Sequence, residues 1–95
     1  MAQSKFLVEI RTIDNAKKFV AIVRKFHEEV DIKQGRYTID GKSIMGLFSL
    51  DITKPIWVEI KTHDSKRIVE FYHRMEEFVV ESSRAESRDP NRDRW

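Results

Sequence analysis

The residue with the clearest chemical potential is Ser43, within Gly41-Lys42-Ser43-Ile44-Met45-Gly46-Leu47-Phe48-Ser49-Leu50-Asp51. It stands just before an apolar run, where a side-chain oxygen accepts a hydrogen bond from one of the first free backbone amides and so caps a helix. The run is too short for a long helix. Leu47 and Leu50, three apart, share a buried face, which leaves Ile44, Met45 and Phe48 to point partly outward. Apolar side chains facing outward beside a capping serine form a docking surface. The plainer alternative is that Ile44, Met45 and Phe48 plug a two-layer core.

Other residue types that do chemistry are scattered. His27 falls at a helix end, His63 in a turn and His73 on the polar side of a helix, each read as a surface residue and none at metal-ligand spacing. There is no cysteine, which excludes disulfides and cysteine-based zinc sites and points to a reducing, cytoplasmic compartment. No Gly-rich phosphate loop and no nucleophile-base arrangement stands out, so neither an enzyme nor a cofactor is expected. Eighteen Lys and Arg against sixteen Asp and Glu are too mixed for a dedicated phosphate-backbone binder.

The elements that must position these residues follow from periodicity. Lys5 to Arg11 alternate as a strand, with Phe6, Val8 and Ile10 on one side and Leu7, Glu9 and Arg11 on the other. Asp14 or Asn15 caps a helix in which Ala16, Phe19, Val20, Val23 and Phe26 recur at helical spacing, and His27-Glu28-Glu29 end it. Val30 and Ile32 start a second strand that turns at Gln34-Gly35 into a third, Tyr37 to Asp40. Thr53-Lys54-Pro55 break the chain before Ile56 to Thr62, the cleanest alternation and the fourth strand.

Asp64 or Ser65 then caps a last helix whose buried stripe is Ile68, Phe71, Tyr72, Met75, Phe78 and Val79. The pattern predicts a two-layer α/β domain over residues 1–81, with helices on one face of a four-stranded, mainly antiparallel sheet. Phe6, Val8, Ile10, Phe19, Val23, Val58, Ile60, Tyr72 and Met75 should share its core. Leu7, Glu9, Trp57, Glu59 and Lys61 should carry the opposite sheet face, with Trp57 under a neighbouring chain or against the stems of Arg11 and Lys61. Residues 82–95 hold no large apolar side chain before Trp95 and read as a flexible charged tail. No apolar run is long enough to span a membrane, and no signal-like stretch opens the chain.

The run Lys42-Ser43-Ile44-Met45-Gly46, continuing through Ser49-Leu50, resembles the regulatory-serine region of HPr, the small phosphocarrier of the bacterial sugar phosphotransferase system. The order of elements agrees. The resemblance implies an open-faced sandwich with strand order 1-4-2-3 and extends to about residue 80, without gaps from roughly Thr12 to Ile60. HPr carries phosphate on the histidine of a His-x-Arg-Pro motif, and the ungapped match puts Thr12, Asp14 and Asn15 at the His, Arg and Pro positions. A threonine hydroxyl cannot replace the imidazole, and a carboxylate at Asp14 repels the phosphate that a guanidinium would hold.

In that respect the chain is similar to the catabolite-repression HPr of Gram-positive bacteria. The resemblance implies a regulatory protein-interaction module, phosphorylated at Ser43 by an HPr kinase and read by a transcription regulator or a phosphotransferase-system protein. Lys42, Ile44, Met45 and Phe48 would form the partner surface. The alternative is an HPr fold recruited for an unrelated binding role, with Ser43 only a cap. A nucleic-acid binder using Lys17, Lys18, Arg24 and Lys25 is a third, minor class.

Overall fold

A computed structural model describes residues 4–80. The chain runs through β1 (Lys5–Val8), α1 (Ile13–Val23), β2 (Val30–Gln34), β3 (Tyr37–Asp40), α2 (Ile44–Phe48), β4 (Ile56–Ile60) and α3 (Ser65–Met75), and closes with a 3-10 turn, Glu76–Phe78. The four strands form one sheet in the order β1-β4-β2-β3, and every pairing is antiparallel. The expected architecture is therefore present. Residues 82–95, read as a tail, lie outside the described residues, as does Glu81.

Alternation and helical spacing converge as expected on one apolar layer. Phe6, Val8, Ile10, Phe19, Val23, Val58, Ile60 and Met75 are all buried there, while Tyr72 is half-buried, edge-on to Phe6 with ring centroids 5.1 Å apart. Phe71 fills the centre, stacked at 5.8 Å on Phe6 and edge-on at 5.1 Å to Phe26. Such geometries add to what area burial alone contributes.

Boundaries differ from the sequence reading for physical reasons. β1 stops at Val8 although the alternation continues, because Arg11 takes φ 71 and Thr12 N–H closes on Ile10 C=O. That is a γ-turn of the strained, positive-φ kind. Ile10 stays fully buried regardless. α1 ends at Val23, before Phe26 and well before His27, since its last turn tightens into bonds from Lys25 N–H to Ile22 C=O and from Phe26 N–H to Val23 C=O. β4 ends at Ile60, two residues early, with Thr62 N–H turned back onto Ile60 C=O. α3 continues as the 3-10 turn, after which Val79 bridges to Val8 and Val80 N–H bonds Leu7 C=O.

The outer sheet face holds the expected residues but differs in the cation packed on Trp57. Glu59, Lys61, Asp31 and Lys33 form a ladder of ion pairs across β4 and β2, the shortest being Lys33 to Glu59 at 3.0 Å. Leu7 and Trp57, directly opposite each other in the β1–β4 register, are both buried. The cation over the indole is Lys5, its Nζ 5.0 Å from the ring centroid, and not Arg11, which turns back to Glu9 at 2.9 Å.

One long-range pair ties the segment after α1 to α3. Arg67 donates Nε to Glu28 Oε2 at 2.8 Å and Nη2 to Oε1 at 3.1 Å, with its guanidinium carbon 4.9 Å from the centroid of Phe26. The Glu28 side chain is only 9% exposed. The hydrogen bonds from Arg67 hold its carboxyl down to about 2, against an ordinary 4.5, overcoming the opposing effect of burial. The pair therefore stabilises the fold fully above pH 4.5, and that contribution drains away as pH falls toward about 2. Urea midpoints of the parent and of Arg67→Gln should be well separated at neutral pH and converge as the acid is taken from pH 4.5 toward 2. A gap independent of pH would show that the guanidinium acts only through packing.

Candidate functional site

The turn that leads into α2 is built by its own polar side chains. Asp40 Oδ1 accepts from Lys42 N–H at 2.9 Å and Asp40 C=O from Ser43 N–H at 3.0 Å, which turns the chain out of β3. Ser43 then takes extended dihedrals, φ −104 and ψ 110, and its Oγ accepts from Gly46 N–H at 3.0 Å. This is the N-cap that the sequence anticipates. Ser49 closes the helix by donating its hydroxyl to Gly46 C=O.

Gly46 is needed for close approach. A β-carbon there would collide with Cγ2 of Ile39 on β3 and come within 3.2 Å of Ser43 Oγ. The absence of a side chain thus seats α2 on the sheet and keeps the serine at its amide.

Beyond α2, Gln34 locks the next loop. Its Nε2 donates to Asp51 C=O at 2.9 Å and its Oε1 accepts from Asp51 N–H at 3.0 Å. The Asp51 carboxylate accepts the hydroxyl and amide of Thr53, and the hydroxyl bond above all holds it below the usual carboxylate range.

Two contacts set α1 against α2. Arg24, the C-cap of α1, donates Nε to Lys42 C=O at 3.0 Å, and Arg11 N–H at the other end bonds Ile52 C=O at 2.8 Å. The two helices thus run antiparallel, with the start of α1 beside the end of α2. Met45 (76% exposed) and Phe48 (40%) point outward, and Ile13 (60%) at the first position of α1 lies toward the Phe48 end. Ile44 is different: expected to point only partly outward, it is half-buried and packs on the core beside fully buried Leu47. In a helix this short a residue of the first turn still faces the sheet. Lys42 is half-buried, with its amide held by Asp40.

Ile13 was not singled out by the sequence, because no spacing pattern tells an exposed apolar residue in the first turn of a helix from a buried one. Tyr37, 63% exposed, is a second such residue, at the start of the edge strand β3.

The segment before α1 shows what Thr12, Asp14 and Asn15 do. Thr12, and neither Asp14 nor Asn15, caps α1, its Oγ1 accepting from Asn15 N–H at 3.1 Å. The Thr-x-x-Asn spacing was the signal for it. Asn15 donates Nδ2 to Ile10 C=O at 2.9 Å and so braces the γ-turn, while Asp14 is exposed in the first helical turn. His27 and His73 are exposed and stand 3.6 Å from Glu28 and Glu76 respectively. Among the described residues no three His, Cys, Asp or Glu are placed to hold a metal, and no helix is long and apolar enough to cross a membrane.

Sheet order, helices on one face and a serine-capped short helix beside the first define an HPr-like open-faced sandwich. Residues 13–79 match the family described as "PTS HPr component phosphorylation site". The chain belongs to the HPr family of the phosphotransferase system, a phosphocarrier family. The match begins one residue past Thr12.

Among solved structures, HPr-C-His from Thermoanaerobacter tengcongensis is similar at 20% identity and TM-score 0.63, over 78% of this chain and 92% of that one. The phosphocarrier protein HPr from Bacillus anthracis str. Ames is similar at 21% identity and TM-score 0.58, over 78% and 94%. At such identities the likeness is one of fold. No curated protein matches.

Gly46→Ala tests the close approach through its sign. Alanine in place of an interior helical glycine ordinarily stabilises by up to about 1 kcal/mol. Here overpacking against Ile39 should instead destabilise by about 1–3 kcal/mol, measured by urea denaturation.

Proposed function

We propose that this HPr-family chain does not carry phosphate on histidine and serves as a regulatory protein-interaction module, switched by phosphorylation at Ser43. The observation that carries this reading is the pairing of a capping serine with exposed Met45 and Phe48, in a chain whose carrier positions, by the resemblance, hold Thr12, Asp14 and Asn15. The partner surface is centred on Met45 and Phe48, with Lys42 at its rim and Ile44 contributing its exposed part. By resemblance the partners are an HPr kinase and either a transcription regulator or a phosphotransferase-system protein, in the cytoplasm of a bacterium, within carbon catabolite repression. The module itself catalyses nothing.

The modification is a simple transfer. Ser43 Oγ forms a bond to the terminal phosphorus of ATP, the bond from that phosphorus to the β-phosphate oxygen breaks, ADP leaves and the hydroxyl proton passes to the kinase. The product carries close to two negative charges beside an apolar rim. Binding should respond far more than stability, because the cap bond from Gly46 N–H exists before modification.

A second reading has its own observation. Ser43 Oγ already has a structural task, so the fold would keep the serine even where nothing modifies it, and the surface would then serve an unrelated binding role.

Incubation with HPr kinase and ATP, followed by mass spectrometry, should place one phosphate on Ser43. Ser43→Ala should abolish it and weaken partner binding. If the kinase leaves Ser43 unmodified and Ser43→Ala leaves every interaction unchanged, the second reading stands. With enzyme I and phosphoenolpyruvate the protein should acquire no acid-labile phosphate, and Thr12→His alone should not restore any, since Asp14 still opposes the anion. Stoichiometric phosphohistidine at His27, His63 or His73 would overturn the proposal.

A further inference from the structure

Arg24 is the C-cap of α1, yet its side chain belongs to the turn that precedes α2. Its Nε donates to Lys42 C=O at 3.0 Å, and that carbonyl is part of the peptide joining Lys42 to Ser43. The guanidinium is thereby fixed one peptide away from the serine. A guanidinium has five N–H donors in a rigid fork, and this bond occupies one of them. Among the described residues no carboxylate pairs with Arg24, in contrast to Arg11 on Glu9 and Arg67 on Glu28. Its two Nη groups are therefore available to an anion beside Ser43.

We propose that Arg24 is the residue that senses the state of Ser43: with the hydroxyl free it braces Lys42 C=O, and with phosphate present its Nη groups bind the phosphate oxygens. This rests on the reading of Ser43 as a modified residue and goes beyond it. α2 has only five residues, so its aligned peptides supply little field, and it carries no charged side chain. Side chains must hold the phosphate.

The fixed charges around it are few. The turn contributes Lys42 and, opposing it, Asp40, whose carboxylate is committed to Lys42 N–H. On α1, Lys17 lies two turns from Arg24 on the same face, Lys18 leans to Glu77 at 3.6 Å, and Asp14 is at the opposite end. Arg24 alone combines position with a planar fork. The consequence reaches past α2. Arg24 is exposed together with Lys17 and Lys18 on α1 and Lys25 just past its end, and drawing it onto the phosphate removes one cation from that surface. Modification of one serine then alters the surfaces of both helices.

The test is a phosphorus NMR pH titration of protein in which phosphoserine is installed at position 43 during translation, so that the result is independent of any kinase. The second ionisation of phosphoserine, ordinarily near pKa 6, should rise by about half a unit in Arg24→Gln relative to the parent. In Lys25→Gln, which removes the same charge from the neighbouring position, it should rise by far less. Arg24→Lys, which keeps the charge without the fork, should fall between, and serves as the second variant should Arg24→Gln fail to fold. Equal shifts in Arg24→Gln and Lys25→Gln, or a titration in Arg24→Lys coincident with the parent's, would overturn the proposal. A kinase that ignores Ser43 would remove the regulatory reading and leave this titration as it is.

Discussion

The sheet depends on β4. It bonds β1 on one side and β2 on the other, so the first two strands of the chain, which run parallel, never meet. β3 is likewise parallel to β4 and separated from it by β2. Both helical crossovers, β1-α1-β2 and β3-α2-β4, therefore join strands with a stranger between them, and the two units interlock. Val58 and Ile60 are fully shielded because strands flank them on both sides and helices cover their face. The core under α1 closes only when residues 56–60 arrive, a non-local condition that slows folding relative to a helical bundle of this size.

The same arrangement fixes the serine turn. β3 hands the chain to α2 through Asp40, Lys42 and Ser43, and α2 is pressed onto Ile39 because the loop from Leu50 to Pro55 must still bring β4 back to the middle of the sheet. Gln34 pins that loop by mimicking a strand partner with its side-chain amide. α1 is held to the turn at one end by Arg24 and to the returning loop at the other by Arg11 N–H. The candidate surface is thus the outward side of a braced junction of α1, α2 and β3.

Much of this was readable from spacing. Alternation in Ile56 to Ile60 and helical spacing in Ala16, Phe19, Val20 and Val23 reflect which side of each element meets oil, and burial enforces both. The resemblance in Lys42 to Leu50 supplied the strand order, which no periodicity contains. What failed to show were interactions between distant residues and the ends of elements. Glu28 and Arg67 are 39 apart, and neither has a pattern that announces the other. Arg11 gives no sign that it will enter the left-handed region, since the alternation runs straight through it. Trp57 looked like an exception on a wet face because the pairing that sets it beside Leu7 is a matter of register. How Ile44 divides between core and surface was left open for a related reason: with only five residues, α2 has no complete set of faces to compare.

The two edges of the sheet are unequal, and this bears on how the protein stays dispersed. Beyond β1, Val79 and Val80 occupy part of the outer edge, with Glu9 N–H and Leu7 C=O both bonded to that segment. At β3 the bond from Gly41 N–H to Val30 C=O sets the alternation, so that Thr38 and Asp40 turn their peptide groups away from β2. Asp40 C=O is already taken by Ser43 N–H. An incoming strand would find an edge four residues long with one of its outward carbonyls consumed by the helix cap. The capping turn therefore also acts as a stopper against strand-by-strand growth of the sheet into aggregates.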